Sequence, residues 1–117
     1  FARYVGEMTE PSAIVITADE GPFIRYYGHR SFVTRPYSLK TMDEFRDQLD
    51  ILMDQGVPVY ITSSGLLSGD PNRQFSGLLL LKYDLSFVGQ HFSEDWHRGA
   101  TRIRTGYEKI YRVQPRL

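Results

Sequence analysis

Apolar residues recur along the chain in two rhythms, and the switches between them lay out its elements. Residues 13–17, Ala-Ile-Val-Ile-Thr, are a β-branched run bounded by Pro11-Ser12 and by Asp19-Glu20-Gly21-Pro22, the composition of a buried strand. Residues 31–34 form a weaker strand closed by Arg35-Pro36. Between the two, residues 22–27 suit a short helix, with Pro22 in its first turn and Gly28 as a left-handed C-cap. Thr41-Met42-Asp43-Glu44 has the form of a capping box: the Thr41 hydroxyl accepts from the Glu44 amide, and the Glu44 carboxylate accepts from the Thr41 amide. Met42, Phe45, Leu49, Leu52 and Met53 then recur at steps of three and four, opposite Asp43, Arg46, Asp47, Asp50 and Asp54, and Gly56 ends the helix.

Residues 57–62, Val-Pro-Val-Tyr-Ile-Thr, read as a strand inside the sheet, with Pro58 near its start, where a missing ladder donor is tolerated. Asp70-Pro71 repeats the chemistry of a helix start, and Phe75, Leu78, Leu79 and Lys82 continue at helical spacing. Residues 85–92 and 107–113 have strand composition with no helical pattern between them, so they pair antiparallel across a polar loop over 93–105. The resulting order, β-α-β-α-β-α-β-β, predicts a single α/β domain over residues 1–117. Its expected form is a Rossmann-like three-layer sandwich, a mostly parallel sheet of about five strands with a C-terminal antiparallel hairpin at one edge.

Composition removes several function classes. Fourteen basic residues balance fourteen acidic ones, so no global field draws the chain to nucleic acid. With no cysteine, disulfides and thiolate chemistry are excluded. No run approaches the roughly 18 apolar residues of a membrane span. The chain starts at Phe1 and shows no signal-peptide apolar segment, and it is therefore expected to be a piece excised from a longer polypeptide.

Candidate chemistry gathers in three places. Asp19 and Glu20 follow the first strand, at the strand ends where α/β folds collect ligands. They lack the glycines that a dinucleotide needs; they either bind a cation or sugar hydroxyls, or cap the following helix at its positive end. The hydroxyl-rich stretch Ser63-Ser64-Gly65-Leu66-Leu67-Ser68-Gly69-Asp70 follows the third strand and is either an anion nest built around Ser63, Ser64 and Asp70 or a plain surface loop. It matches neither a P-loop nor a nucleophile elbow, and no histidine can be assigned as base to Ser64. Arg98, Arg102 and Arg104 share one polar stretch that can meet phosphates or lipid headgroups, or simply be solvated beside Glu94 and Asp95. His29, His91 and His97 have no metal-ligand spacing, so neither a metal nor a cofactor is expected, and His29 reads as a turn residue. Phe23, Tyr26 and Tyr27 read as core and helix-face residues rather than a sugar-stacking platform.

Four stretches taken together carry a resemblance: Pro11-Ser-Ala-Ile-Val-Ile-Thr17, then Gly21-Pro-Phe-Ile-Arg-Tyr-Tyr-Gly28 with Arg30, then Gly56-Val-Pro-Val-Tyr-Ile-Thr62, and Tyr107-Glu-Lys-Ile-Tyr-Arg-Val113. In this order they resemble the C-terminal soluble domain of polytopic membrane glycosyltransferases of the prokaryotic protein O-mannosyltransferase and aminoarabinose-transferase type, which use polyprenyl-phosphate sugars. The resemblance implies an appended α/β domain on the extracytoplasmic face of the cell membrane. It also implies a non-catalytic accessory role, in contact with the enzyme's own membrane portion, with lipid headgroups, or with a glycan acceptor or lipid-linked sugar. The family's catalytic carboxylate lies in a loop among membrane helices, so no catalytic residue carries over. The alternative expectation is a free-standing small enzyme or nucleotide-sugar-binding module that uses the loops after the first and third strands.

Overall fold

The computed structural model describes residues 1–18, 21–36, 41–67, 73–97 and 102–116, with the backbone alone over 93–97 and 102–106. Within them the chain runs α1 (Ala2–Met8), β1 (Ile14–Thr17), α2 (Gly21–Gly28), β2 (Ser31–Thr34), α3 (Met42–Asp54), β3 (Val59–Thr62), α4 (Ser63–Leu67), α5 (Gln74–Lys82), β4 (Tyr83–His97) and β5 (Arg102–Pro115). The five strands form one sheet in the order β2-β1-β3-β5-β4. β1 pairs parallel with both β2 and β3, whereas β5 runs antiparallel to both of its neighbours.

The sheet is therefore mixed, not mostly parallel, and the Rossmann-like expectation needs correction here. The hairpin attaches through its second strand. Ile110 and Val113 of β5 are both buried, the first among residues packed with α1 and α2, the second among residues packed with α3 and α5. A strand apolar on both faces gains most in the sheet interior. β4, with Phe87 and Phe92 exposed, takes the edge. The polar loop expected over 93–105 is also shorter: β4 continues to His97 and β5 begins at Arg102, in unbroken register from Gly89 onward after a bulge between Phe87 and Gly89, with Asp95 opposite Arg104.

Two apolar layers sandwich the sheet. Alternation along the strands sends Val15 and Tyr60 to one face, where Val5 of α1 and Ile24 of α2 meet them. Ile16, Val59 and Ile61 go to the other, against Met42, Phe45 and Leu49 of α3 and Phe75 and Leu79 of α5. The α3 stripe is the one the sequence predicts. The helix ends in a Schellman motif: Val57 N donates to Leu52 O (3.0 Å) and Gly56 N to Met53 O (3.0 Å), with Gly56 at φ +77°. Its start departs from expectation. Thr41 is the N-cap, yet its side chain makes no capping bond, because its backbone (φ −99°, ψ 0°) lies outside the extended conformation that aims a cap hydroxyl at the helix.

The first helix, α1, has no counterpart in the sequence reading. It is seven residues long, lacks a side-chain cap and buries only Val5 fully, so no local signal announces it. What holds it is tertiary. It crosses α2 where both helices carry glycine: a Cβ on Gly6 would lie 2.3 Å from Gly28 O, and one on Gly28 would lie 2.5 Å from Ala2 O. Gly28 is thus needed for close approach, and the left-handed residue that ends α2 is His29 (φ 55°), a turn residue as expected. Arg30 fastens the far end of α1. Its guanidinium donates to Gly6 O (2.6 Å), Thr9 O (2.9 Å) and Thr9 Oγ1 (3.0 Å), covering carbonyls that a helix C-terminus leaves open.

Candidate functional site

The carboxyl ends of β1 and β3 lie side by side, as the parallel pairing requires, and α4 begins there. Gly65 backs onto β1 so closely that a Cβ would stand 2.6 Å from Ile16 O and 3.0 Å from Thr17 Cα. A short helix thus occupies the strand ends where the sequence reading placed a loop. Ser63 and Ser64 do come together here, but their hydroxyls hold α4 in place. Ser63 Oγ donates to Glu108 Oε2 (2.7 Å) and accepts from Lys109 N (3.0 Å), joining α4 to β5. Ser64 Oγ lies 3.3 Å from Thr62 Oγ1, which accepts from Gly65 N (3.0 Å). The Ser63 hydroxyl is bonded to a carboxylate and not to an imidazole base, and the His91 ring packs against Tyr4, their centroids 5.2 Å apart. The fully buried Thr17 Oγ1 has no hydrogen-bond partner among the described residues. Beside it Arg35 is almost wholly buried, its amide donating to Thr17 O (2.9 Å) and its guanidinium 5.2 Å from the Phe75 ring centre.

The remaining candidates scatter. Asp19, Glu20, Asp70 and Arg98 lie outside the described residues, as does the helix start expected at Asp70-Pro71. Arg102 and Arg104 belong to β5 instead of a loop, in register opposite His97 and Asp95.

A broad concave surface lies elsewhere, along α1 and α2 where they border Phe32 of β2 and His91 of β4. Of the large side chains in α2 only Ile24 is buried, while Phe23 (61%), Tyr26 (74%) and Tyr27 (46%) are exposed. The core role expected for these three rings does not hold. The physical reason is the glycine crossing: α1 lies against α2 and shares its contact with the sheet, leaving room beneath α2 for one apolar side chain. Tyr26 and Tyr27 meet edge to face at 4.8 Å, and the Arg3 guanidinium sits 5.7 Å over the Tyr27 ring. A groove opens on each side of this Arg3–Tyr27 pair. One, of about 1010 Å³, is lined by Arg3, Arg25, Tyr26, His29 and Phe32 among others. The second, of about 610 Å³, is walled by Phe1, Tyr4, Phe23 and Ile24, with Glu7 and His91 at its margin. Arg3 and Arg25 escape a sequence reading because nothing local separates them from solvated surface; the one available signal was the crowding of three aromatic residues, Phe23, Tyr26 and Tyr27, into the eight residues of α2.

Two further polar clusters are structural. Tyr60 OH reaches both oxygens of Glu10 (2.7 and 2.9 Å), with Arg112 Nη1 3.6 Å from the same carboxylate, and burial raises the Tyr60 phenol above its ordinary range. Tyr83 OH donates to Asp50 Oδ1 (2.6 Å), and Lys82 bonds the other oxygen. The Lys82 and Tyr83 hydrogen bonds hold Asp50 below the usual carboxylate range, while burial, with the Asp50 bond second, pushes the Tyr83 phenol up. Among the described residues, no three His, Asp or Glu side chains are grouped to hold a metal, and no helix is long and apolar enough to cross a membrane. Compared with known proteins, the chain matches no family model, no curated protein and no solved structure, so its function rests on its own residues.

Proposed function

We propose that the chain is an accessory recognition module of a membrane-bound glycosyltransferase, working at the extracytoplasmic face of the cell membrane and contacting acceptor, lipid headgroups or the enzyme's membrane portion. One observation carries this reading. The stretch Gly21–Gly28, part of the resemblance to such enzymes, folds into a helix whose aromatic and arginine side chains are turned outward. Exposing three large rings forgoes the gain of burying them, and contiguous exposed apolar surface is characteristic of contact sites. The reading frame upstream of Phe1 tests the membrane context. Several apolar segments of about 20 residues each support it, and a frame without any overturns it. A photocrosslinker in place of Tyr26 in the intact protein tests the surface: adducts with the membrane portion, a glycan or a lipid support the reading, and their absence counts against it.

The alternative, a free-standing enzyme or nucleotide-sugar-binding module built on the ends of β1 and β3, draws on the buried, unpartnered hydroxyl of Thr17. Against it, α4 fills that position, and both Ser63 and Ser64 are engaged in holding it.

A further inference from the structure

The groove beside Tyr26 has a more specific chemistry than a general contact surface. Arg3 and Arg25 bring two guanidinium groups to it, and neither is in an ion pair among the described residues. No described carboxylate lines it. Two cations at one concave surface whose described lining holds no carboxylate favour an anion, and the forked donors of arginine match a carboxylate or phosphate. The rest of the wall is ring surface. Tyr26 is the most exposed large hydrophobic side chain among the described residues, and Tyr27, His29 and Phe32 continue the lining. A pyranose ring offers a C–H face to an aromatic ring and hydroxyls at its edge to hydrogen-bonding groups, so one ligand class satisfies both halves of the groove. Its volume, about 1010 Å³, has room for more than one sugar ring, at the upper end of the roughly 300–1,000 Å³ common for ligand sites.

We infer that the α1–α2 groove binds an acidic saccharide, its carboxylate or phosphate taken by Arg3 and Arg25 and its ring laid against Tyr26. The second groove, beyond the Arg3–Tyr27 pair, is walled by Phe1, Tyr4, Phe23 and Ile24 and carries the Glu7 carboxylate, so it takes a neutral continuation of the same ligand. A bilayer surface would supply similar anions, but concave grooves suit a soluble chain better than a plane of headgroups. The inference rests on the reading of α2 as a recognition surface and is independent of the membrane context.

Titration of the purified chain, followed by calorimetry and by NMR, tests it with trigalacturonate, glucose 6-phosphate, the neutral maltotriose, inorganic phosphate, and phosphatidylglycerol vesicles. Either acidic saccharide is expected to saturate with a Kd below about 1 mM, with maltotriose and inorganic phosphate each at least about tenfold weaker. Arg25→Gln should weaken binding at least about tenfold and Tyr26→Ala several-fold. Both positions are exposed, so circular dichroism should show the fold unchanged. Equal affinity for neutral and acidic sugars, phosphate as tight as the saccharides, an unaltered Arg25→Gln titration, or no saturation by about 10 mM overturns the inference. Binding to the vesicles without binding to either acidic saccharide overturns it in favour of a membrane surface. If acidic saccharides fail while a crosslinker at position 26 still reacts in the membrane, only this inference falls. Saccharide binding by a chain whose frame encodes no apolar span would instead remove the membrane reading alone.

Discussion

Two helices of this protein, α3 and α2, spend their apolar residues in opposite ways. α3 sends Met42, Phe45 and Leu49 into the core and turns Asp43, Glu44, Asp47 and Asp54 to solvent. α2 carries a comparable share of large apolar and aromatic side chains, yet buries one of them and holds three rings in solvent beside Arg25. The difference lies in what each helix lies on. α3 faces the strands directly, so its stripe is used for cohesion. α2 is flanked by α1 at a glycine crossing, and the outer side of the pair is left as surface. A helix whose aromatic residues are not needed for stability is free to use them for recognition.

That contrast can be broken most sharply by truncation. Leu49→Ala should cost about 2 to 5 kcal/mol in chemical unfolding, as for other emptied leucine sites, whereas Tyr26→Ala should stay within about 0.5 kcal/mol. Similar losses at the two positions would mean that α2 is also a core helix.

The glycine crossing is the next target. Gly6→Ala and Gly28→Ala each force a methyl group onto a backbone oxygen of the opposite helix, an overpacking that should cost about 1 to 3 kcal/mol. Gly77→Ala, in α5 with nothing within 4 Å, should instead stabilise by about 0.5 to 1 kcal/mol through helix propensity. Thermal unfolding of the three variants separates close approach from backbone freedom.

A smaller effect is expected from pH. The folded state depresses the Asp50 pKa, so on acidification the unfolded chain takes up this proton first. The contribution is therefore complete above the ordinary aspartate value of 3.8 and declines as pH falls through that value toward the folded one. Asp50 is more than one-third exposed and screened by water, so the slope should be shallow. Tyr83 acts in the other direction. Its raised pKa makes its contribution complete below 10.0 and lost as pH rises beyond that. Urea midpoints across pH should show a gentle acid decline that Asp50→Asn flattens, and an alkaline decline that Tyr83→Phe flattens.

Least of all should depend on Thr41. With no capping bond from its side chain, Thr41→Ala should cost less than about 0.5 kcal/mol, against about 1 kcal/mol for a bonded cap. A full cap penalty would restore the capping box.

Elements with purely local signals were legible in the chain before any fold was known. β1 and β3 are β-branched runs too apolar for any place but the sheet interior, and Pro58 stands just before β3, where its carbonyl still accepts from Ile14. The α3 stripe and the left-handed Gly56 follow from a 3.6-residue period and from a glycine placed where the chain must reverse. Ser63 and Ser64 were also rightly placed at the strand ends, although sequence alone could not tell that Glu108, 45 residues away from Ser63, would engage the first of them. The rest was decided by competition among distant segments for the same buried positions. β5 entered the sheet ahead of β4 because Ile110 and Val113 each found a covered face. α1 exists because Gly28 lets it approach and Arg30 closes its end. The aromatic residues of α2 stayed outside because α1 had already taken its place beside that helix, a condition no window of neighbouring residues contains.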